Sequence, residues 1–291
     1  MDPGPRFTRR DALKGAAVAV LGLPWLRPAS ASAAEPAPPS DRTHGVRLGI
    51  ASYSLASLTV EQVIPIVLQL EIKTVSLFKN HAPWSTGTPE QCRAAVQKFT
   101  DAGIAVTSTG VVDLPNDEAA VRKAFENVRG AGLKKFCGRP ALDAFPLVDR
   151  CVKEYDLRVA IHNHGPADLY PSPYDATKAA QAFDPRIGLC IDVGHCWLGG
   201  VDPVAAVRDC HERLYEVHLK DSLGPRGGGK ISDPHPVVVG RGVLDIRGIL
   251  GALIDVKFAG ETEFEFEQKV KDRVPGLAES VGFVRGMLAA M

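Results

Sequence analysis

The feature that most constrains this chain is a repeated pairing of a short strand with a helix. Apolar or β-branched segments alternate with longer segments of helical periodicity, separated by Gly, Pro or Asp. Their starts lie 24 to 31 residues apart, except for a last interval of 47. One βα unit needs about 30 residues. Strands are predicted over residues 47–55, 74–79, 105–112, 134–139, 158–164, 187–195, 214–221 and 261–267. Eight such units predict an α/β protein, a single-domain (β/α)8 TIM barrel over residues 47–291.

Helix start and stop signals lie between the predicted strands. Capping residues or a first-turn proline precede the helical segments, and the second segment closes on Gly103. The predicted starts are Thr59, Pro89, Asn116 or Asp117, Asp202 and Asp245. No G-x-G-x-x-G turn follows the first strand, which argues against a dinucleotide-binding fold.

Residues 1–33 are predicted to be a twin-arginine signal peptide. Arg9 and Arg10 precede an apolar run, residues 16–26, that is too short to span a bilayer. The small residues 31–33 (ASA) then provide an A-x-A cleavage site. Residues 34–46 are expected to be a linker. The signal predicts a periplasmic or secreted protein, exported by the twin-arginine route and free of the membrane after cleavage.

The charge balance bears on the partners. Lys and Arg number 34, as do Asp and Glu, and removal of the signal leaves the chain slightly acidic. Such a chain offers no general attraction to nucleic acid, so no nucleic-acid partner is expected. None of the six cysteines has zinc-knuckle spacing. Cys92, Cys151 and Cys210 lie in helical patterns and are expected to be buried thiols. Disulfides and a homo-oligomer are left open.

Ionisable residues collect at the carboxyl ends of the last four predicted strands. These ends form one rim, the mouth of the barrel, while the earlier part of each strand is expected to be apolar. Charged groups on a buried rim repel one another unless something neutralises them. A mixed set of His, Asp and Glu favours one divalent metal ion, with Mn, Zn, Co or Fe preferred to Mg. The rim residues are His162, Asn163, His164, Asp192, His195, His218, Lys220, Asp221, Glu263, Glu265 and Glu267.

These segments resemble the xylose isomerase-like barrels of the sugar phosphate isomerase/epimerase family. The resemblance runs from Arg47 to the last helix. Its motifs are residues 192–195 (DVGH), 218–221 (HLKD), 240–242 (GRG), and Gly260 leading to 265–267 (EFE). The resemblance implies a divalent metal held by four side chains that follow strands five to eight.

Three of the four ligand positions match the family. Asp192, His218 and Glu265 are the ligands that the resemblance implies after strands six, seven and eight. After strand five the family has Glu followed by Asn and His, whereas this chain has His162 before Asn163 and His164. We therefore expect His162 to be the fourth ligand, with His164 as the alternative from the same strand face.

The resemblance implies proton abstraction next to a carbonyl, on a sugar or keto-sugar, through a metal-stabilised enediolate. Glu265 is expected to remove the proton, and His162 or His164 to return one. The expected activity is that of an isomerase or epimerase. Loss of a β-substituent from the same intermediate is the alternative and would make the chain a lyase, dehydratase or keto-glycoside-cleaving enzyme. A sugar-binding barrel without turnover is a third hypothesis.

Residues near the mouth are candidates for substrate contact. His195 and Lys220 are expected to bind substrate oxygens, Lys79 to reach the same space, and Trp84 to pack against a sugar face. Residues 224–230 (GPRGGGK) are close to a phosphate-binding loop, but Ile231 replaces the required Ser or Thr and no helix is predicted to follow. This segment is therefore interpreted as a lid.

Apurinic endonucleases, which share this barrel, are an alternative class. They require further His and Glu ligands on the early strands, together with a basic face. The early strands here carry Tyr53, Lys79 and Thr109 instead. The expected partner therefore remains a small-molecule sugar.

Overall fold

The structure, a computed structural model, describes Met1, residues 43–227 and residues 236–291. Apart from Met1, these residues belong to one compact unit, Asp41–Met291. Its centre is a parallel sheet with the order β3-β2-β1-β11-β8-β7-β6-β5-β4. The strands are β1 (Arg47–Ala51), β2 (Thr74–Leu77), β3 (Ala105–Thr109), β4 (Val112–Leu114), β5 (Lys135–Pro140), β6 (Arg158–His162), β7 (Ile187–Asp192), β8 (Leu214–Leu219) and β11 (Glu261–Phe264), while β9 (Asp221–Ser222) and β10 (Pro236–Val237) form a separate antiparallel pair.

The third predicted strand is split, and the split closes the barrel. β3 pairs with β2, whereas β4 pairs with β5, and only two residues separate β3 from β4. The bend lies at Gly110, where a Cβ would come 2.8 Å from the Phe78 ring. Because β3 and β4 are consecutive pieces of one strand at the two ends of the sheet order, the eight predicted strands form a closed (β/α)8 barrel, which confirms the predicted fold.

Helices follow the strands and pack outside them. They are α1 (Val60–Gln69), α2 (Pro89–Asp101), α3 (Glu118–Gly130), α4 (Phe145–Tyr155), α5 (Pro173–Ala180), α6 (Val193–Leu198), α7 (Pro203–Asp209), α8 (Ile246–Asp255) and α9 (Val274–Ala289). Their apolar faces join the outer faces of the strands in one core. No helix among the described residues is long and apolar enough to cross a membrane.

The predicted helix starts are confirmed by their hydrogen bonds. The Thr59 N–H donates to Gln62 at 3.0 Å, and Thr88, just before Pro89, forms the corresponding capping box with Gln91. Asp117, rather than Asn116, accepts the Ala120 N–H at 2.7 Å. Side chains of Asp202 and Asp245 likewise accept backbone N–H groups at the starts of α7 and α8. Each cap satisfies a helix-terminal donor that would otherwise lack a partner.

Several strands end earlier than predicted, for example at His162 and Phe264, and two of them run directly into a helix. A short 3-10 helix, Ser52–Leu55, follows β1, and α6 begins directly after Asp192, so residues 193–195 are helical rather than extended. The cause in the second case is capping: the Asp192 side chain accepts the His195 N–H at 2.8 Å. Asp192 therefore stays at the rim as the N-cap of α6, and His195 lies in the first turn of that helix.

Some predictions from the sequence concern the ends of the chain and the cysteines. Apart from Met1, the predicted signal peptide, residues 1–33, lies outside the described residues, as do most of the predicted linker and part of the predicted lid, residues 228–230. The last linker residues belong to the barrel unit, because Val46 is buried and the His44 ring contacts the Leu288 carbonyl. All six cysteines are free thiols and buried.

Candidate metal and active site

Four side chains meet at the carboxyl ends of β6, β7, β8 and β11. His162, Asp192, His218 and Glu265 each offer one ligand atom, and all four atoms lie within 4.8 Å of one another. The sheet register produces this meeting, because Asp192 lies beside His218 on neighbouring strands. Glu265 follows β11, two residues beyond the position that pairs with His218. The four predicted ligands are therefore brought together.

Asp192 is fixed by the strand next to it. The Asn163 side chain donates to the Asp192 carbonyl at 3.1 Å and accepts its N–H at 2.9 Å. Oδ1 of Asp192 is used in the cap of α6, by accepting the His195 N–H. Oδ2 is fully buried yet accepts no well-aligned hydrogen bond among the described residues. The free oxygen faces the other three predicted ligands.

Nitrogen atoms surround this oxygen. Lys220 Nζ lies 3.0 Å from Asp192 Oδ2, His162 Nε2 lies 3.5 Å away, and His218 Nδ1 lies 4.0 Å away. His162 Nε2 and His218 Nδ1 are 3.1 Å apart, and the latter is also 3.1 Å from Glu265 Oε2. Two imidazole nitrogens and two carboxylate oxygens, one of them Asp192 Oδ2, form a ligand set that fits a divalent cation of intermediate softness.

Lys220 neutralises the carboxylates of the site. Its ammonium lies 2.8 Å from Glu265, 2.9 Å from Glu267 and 3.3 Å from the His195 ring. Burial would raise the pKa of Asp192, but the Lys220 charge holds it well below its usual range. Burial likewise opposes ionisation of Glu265, whose pKa is nevertheless lowered by Lys220 and His218. Both carboxylates are therefore anions at neutral pH.

His218 is held between two layers of charge. Burial would lower its pKa, but Glu265 above and Glu216 below raise it well above the usual value for histidine. Nδ1 faces Glu265, while Nε2 lies 3.2 Å from Glu216 Oε1. In the metal-free protein, His218 is therefore an imidazolium at neutral pH, and a metal ion at Nδ1 has to displace a proton.

The two remaining histidines of the rim are neutral. The rings of His164 and His195 lie 4.3 Å apart, and burial, the largest cause, lowers the pKa of both. His195 is buried, whereas the side chain of His164 is 38 % exposed. A cavity of about 170 Å³ lies beside His162 and His164 and is also lined by Val111, Asp113 and Arg139. His164 therefore faces space that a substrate could fill.

Arg139 was missed by the sequence reasoning. It is the next-to-last residue of β5 and forms ion pairs with Asp113 at 2.7 Å and Asp168 at 2.8 Å. A charged residue at the carboxyl end of a barrel strand is the same signal that marked His162 and Asp192. Arg139 could therefore have been selected from the sequence, because the predicted strand ended on it.

Two predicted substrate contacts are placed elsewhere. The Trp84 ring is 1 % exposed and lies in the hydrophobic core, where its N–H donates to the Leu77 carbonyl at 2.6 Å. The prediction that it packs against a sugar is wrong, because the buried N–H takes a backbone partner and draws the ring inward. Lys79 is exposed, and its ammonium lies 5.6 Å from the Phe78 ring centroid, with no contact to the four predicted ligands.

The barrel interior is less apolar than predicted. Glu216 and Glu263 are fully buried below the rim, and Lys135 Nζ lies 3.2 Å from Glu216 and 2.7 Å from Glu261. The pKa of Glu263 is raised to about 8, chiefly by burial and then by the charge of Glu216. These residues form a charged layer beneath the predicted metal site, and we call Lys135, Glu216, Glu261 and Glu263 the lower layer. Buried charge of this kind persists only when it is paired.

The comparisons define the class of this protein. The model of the xylose isomerase-like TIM barrel family matches residues 142–287, and the chain belongs to this family. The match covers α4 through most of α9, and so all four predicted ligands. The family resemblance expected from the sequence motifs is confirmed.

The chain is similar to one curated relative and to several solved structures. A curated relative, "Probable endonuclease 4" of Mesomycoplasma hyopneumoniae, is 34% identical over 83 residues, which span 26% of this chain and 29% of the relative. An uncharacterised protein of Parabacteroides distasonis is 24% identical with a TM-score of 0.61, over 82% of this chain and 98% of that one. The 3-keto-D-glucoside 4-epimerase of E. coli is 12% identical with a TM-score of 0.63, over 83% and 99%. The likeness to these two solved structures, at 24% and 12% identity, shows a shared fold.

Proposed function

We propose that this chain is an exported, metal-dependent sugar isomerase or epimerase that abstracts a proton next to a carbonyl. The observation that carries the proposal is the convergence of four ligand atoms within 4.8 Å of one another at the barrel mouth. His162, Asp192, His218 and Glu265 would hold one divalent cation, Mn, Zn, Co or Fe in preference to Mg. Such an ion supplies Lewis acidity for a substrate carbonyl.

Glu265 is the proposed base. Lys220 and His218 keep its carboxylate ionised, with Oε2 2.8 Å from Lys220 Nζ and 3.1 Å from His218 Nδ1. An anionic carboxylate at the edge of the site can accept a proton from a carbon next to a carbonyl. Glu265 is the most accessible of the four predicted ligands, with 11% of its side chain exposed. A substrate can therefore reach it from the mouth.

His164 is the proposed acid that returns a proton. His162 Nε2 is turned into the cluster, 3.1 Å from His218 and 3.5 Å from Asp192, so this nitrogen faces the cation site. The ring of His164 is partly exposed, borders the adjacent cavity and is neutral near pH 7. An imidazole can take up a proton from solvent and, as the imidazolium, donate it to the substrate. Lys220 and His195, 3.3 Å apart, are placed to bind substrate oxygens.

A lyase is the second candidate, and one observation favours it. Epimerisation with two glutamate bases uses the same kind of group on both faces of the carbon. This site instead pairs a carboxylate, Glu265, with the histidines at the end of β6. Loss of a β-substituent needs one base and one acid that protonates the leaving group. Glu265 and His164 would supply that base and that acid. The substrate in either case is proposed to be a sugar or keto-sugar.

Solvent isotope exchange tests the reaction class. The metal-loaded protein is incubated in D2O with a panel of keto-sugars and keto-glycosides, and the products are followed by NMR. Epimerase or isomerase activity places deuterium next to the carbonyl of an intact sugar, whereas lyase activity releases a fragment or water. Glu265→Gln and His164→Asn are expected to lower exchange by at least about 100-fold. Lys178→Ala, at an exposed position on α5, is the matched control. Exchange that survives Glu265→Gln contradicts the proposal.

The proposal that the chain is exported rests on the sequence of residues 1–33. Fractionation of cells that express the full chain is expected to place the protein outside the cytoplasm. Replacing Arg9 and Arg10 by lysine is expected to retain it inside. Retention of the unaltered chain in the cytoplasm would contradict the export proposal and would leave the metal site untouched.

A further inference from the structure

The two ring nitrogens of His218 have different partners. Nδ1 lies 3.1 Å from both Glu265 Oε2 and His162 Nε2, so it faces the predicted metal site. Nε2 lies 3.2 Å from Oε1 of Glu216, on the opposite side of the ring. Glu216 and His218 are two residues apart on β8, and both point into the barrel because alternate strand residues share a face.

Glu216 belongs to the lower layer and is paired from below. Its side chain is fully buried, and Oε2 lies 3.2 Å from Lys135 Nζ, on β5 across the barrel. That ammonium also lies 2.7 Å from Glu261 and donates to the Tyr215 carbonyl. Lys135 therefore gives Glu216 a fixed cationic partner on the side away from His218. A carboxylate in this position only accepts hydrogen bonds.

We propose that Glu216 is a positioning residue that holds the hydrogen of His218 on Nε2 and so leaves the lone pair of Nδ1 for the metal ion. Glu216 touches neither the ion nor the substrate, and it acts through the His218 ring. A carboxylate that accepts the second ring N–H fixes both the tautomer and the orientation of a metal-binding histidine. The inference rests on the proposed metal site and deepens it by naming what prepares one of its ligands.

Glu263 provides the contrast within the same layer. It is as deeply buried as Glu216 and lies beside His218 in the sheet register, yet its nearest oxygen is 3.9 Å from His218 Nε2. That oxygen accepts the hydroxyl of Ser76 instead, and Oε1 of Glu263 accepts no hydrogen bond among the described residues. Of these two glutamates of the lower layer, only Glu216 lies within hydrogen-bonding distance of His218 Nε2.

Zinc affinity is the first test. The purified chain and three variants are titrated with Zn²⁺ against a chromophoric chelator, and circular dichroism checks the fold of each. Glu216→Leu is expected to weaken binding by about 10- to 100-fold. Glu216→Gln should recover part of this loss, because an amide oxygen can still accept the Nε2 hydrogen. Glu263→Gln, the matched control, should stay within about threefold of the unaltered protein.

The outcomes separate this inference from the function on which it rests. If the unaltered chain binds no Zn²⁺, the proposed metal site fails. If the unaltered chain binds and both Glu216 variants bind equally well, the metal site stands and the role of Glu216 is overturned. Equal losses in the Glu216 and Glu263 variants would likewise overturn it, because the effect would then belong to buried charge in general.

Nitrogen NMR supplies a readout that a merely structural role would not change. In ¹⁵N-histidine-labelled, zinc-loaded protein, His218 is assigned by comparison with His218→Gln. Its spectrum is expected to show a protonated Nε2 and a metal-bound Nδ1. In Glu216→Gln, which keeps the size of the side chain, part of the signal should move to the other tautomer. Metal bound through Nε2 in the unaltered protein would overturn the proposal.

Discussion

The ammonium of Lys220 lies 3.0 Å from the oxygen of Asp192 that accepts no other well-aligned hydrogen bond. The same ammonium contacts Glu265 and Glu267, so one buried lysine balances three carboxylates. Burial would lower the pKa of Lys220, but these carboxylates raise it well above its usual value. A lysine thus supplies, in the metal-free protein, part of the positive charge that a divalent ion would bring.

The first prediction follows from this sharing of charge. Lys220→Met should destabilise the metal-free protein by about 3–5 kcal/mol, because it leaves buried carboxylates without their partner. The loss should be smaller in the presence of saturating Zn²⁺, since the ion supplies the missing charge. Urea unfolding with chelator and with zinc measures both values. Lys79→Met, at an exposed position, is the control, and an equal loss under both conditions would contradict the prediction.

The second prediction concerns the pH dependence of metal binding. The pKa of His218 is raised by Glu265 and Glu216, so below that pKa Nδ1 carries a proton that the metal must displace. Apparent affinity should therefore fall as pH falls, by about tenfold per unit for one displaced proton. Calorimetry in buffers of different ionisation enthalpy counts the protons released. Release of no proton near pH 7 would contradict an imidazolium at this position.

A third prediction concerns the pH dependence of stability and involves Glu263. Its pKa is about 8 in the folded protein, well above the ordinary value of 4.5 for a glutamate. The unfolded chain therefore loses this proton first, and stability should fall as pH rises from about 4.5 to about 8, by at most about 1.4 kcal/mol per unit. Glu263→Gln should remove this fall. Urea unfolding at pH 5 and pH 8 measures how the free energy of unfolding changes with pH in the metal-free unaltered protein and in Glu263→Gln. An equal change in both proteins would contradict the prediction.

The fourth prediction concerns the loop after the seventh strand of the barrel. Asp221 is buried, and its carboxylate accepts the N–H groups of Ser222, Gly240, Gly242 and Leu244. Asp221→Asn should lower the free energy of unfolding by about 2–5 kcal/mol, because the amide NH2 group then faces N–H donors that need an acceptor. Asp245→Asn, at a helix N-cap where both residues serve, should be nearly neutral. Equal effects of the two changes on urea unfolding would contradict this role.

The fold and the rim could be predicted because they depend on local patterns. Strand spacing, capping residues and the polar ends of the strands all lie within one βα unit, so His162, Asp192, His218 and Glu265 could be selected from the sequence. The structure brings these four together because parallel strands of one barrel end at the same rim. Their role as ligands remains a prediction.

Other features depend on partners that the sequence does not reveal. The lower layer could not be predicted, because Lys135 meets Glu216 and Glu261 only through the curvature of the barrel. Trp84 was expected to pack against a sugar, whereas its N–H donates to the Leu77 carbonyl on β2 and its ring lies in the core. The α6 turn was missed because the capping role of Asp192 was not separated from its role at the rim.

The most direct test of the metal site is elemental mass spectrometry of the purified chain, alongside Asp192→Ala. Asp192 is the choice because its buried Oδ2 lies 3.5 Å from His162 Nε2 and 4.0 Å from His218 Nδ1, within the group of four predicted ligands. We expect about one divalent ion per chain in the unaltered protein and a loss of at least about tenfold in the variant. The proposed site would be contradicted if the unaltered chain held no metal after loading with Mn, Zn, Co or Fe. It would also be contradicted if folded Asp192→Ala kept as much metal as the unaltered chain.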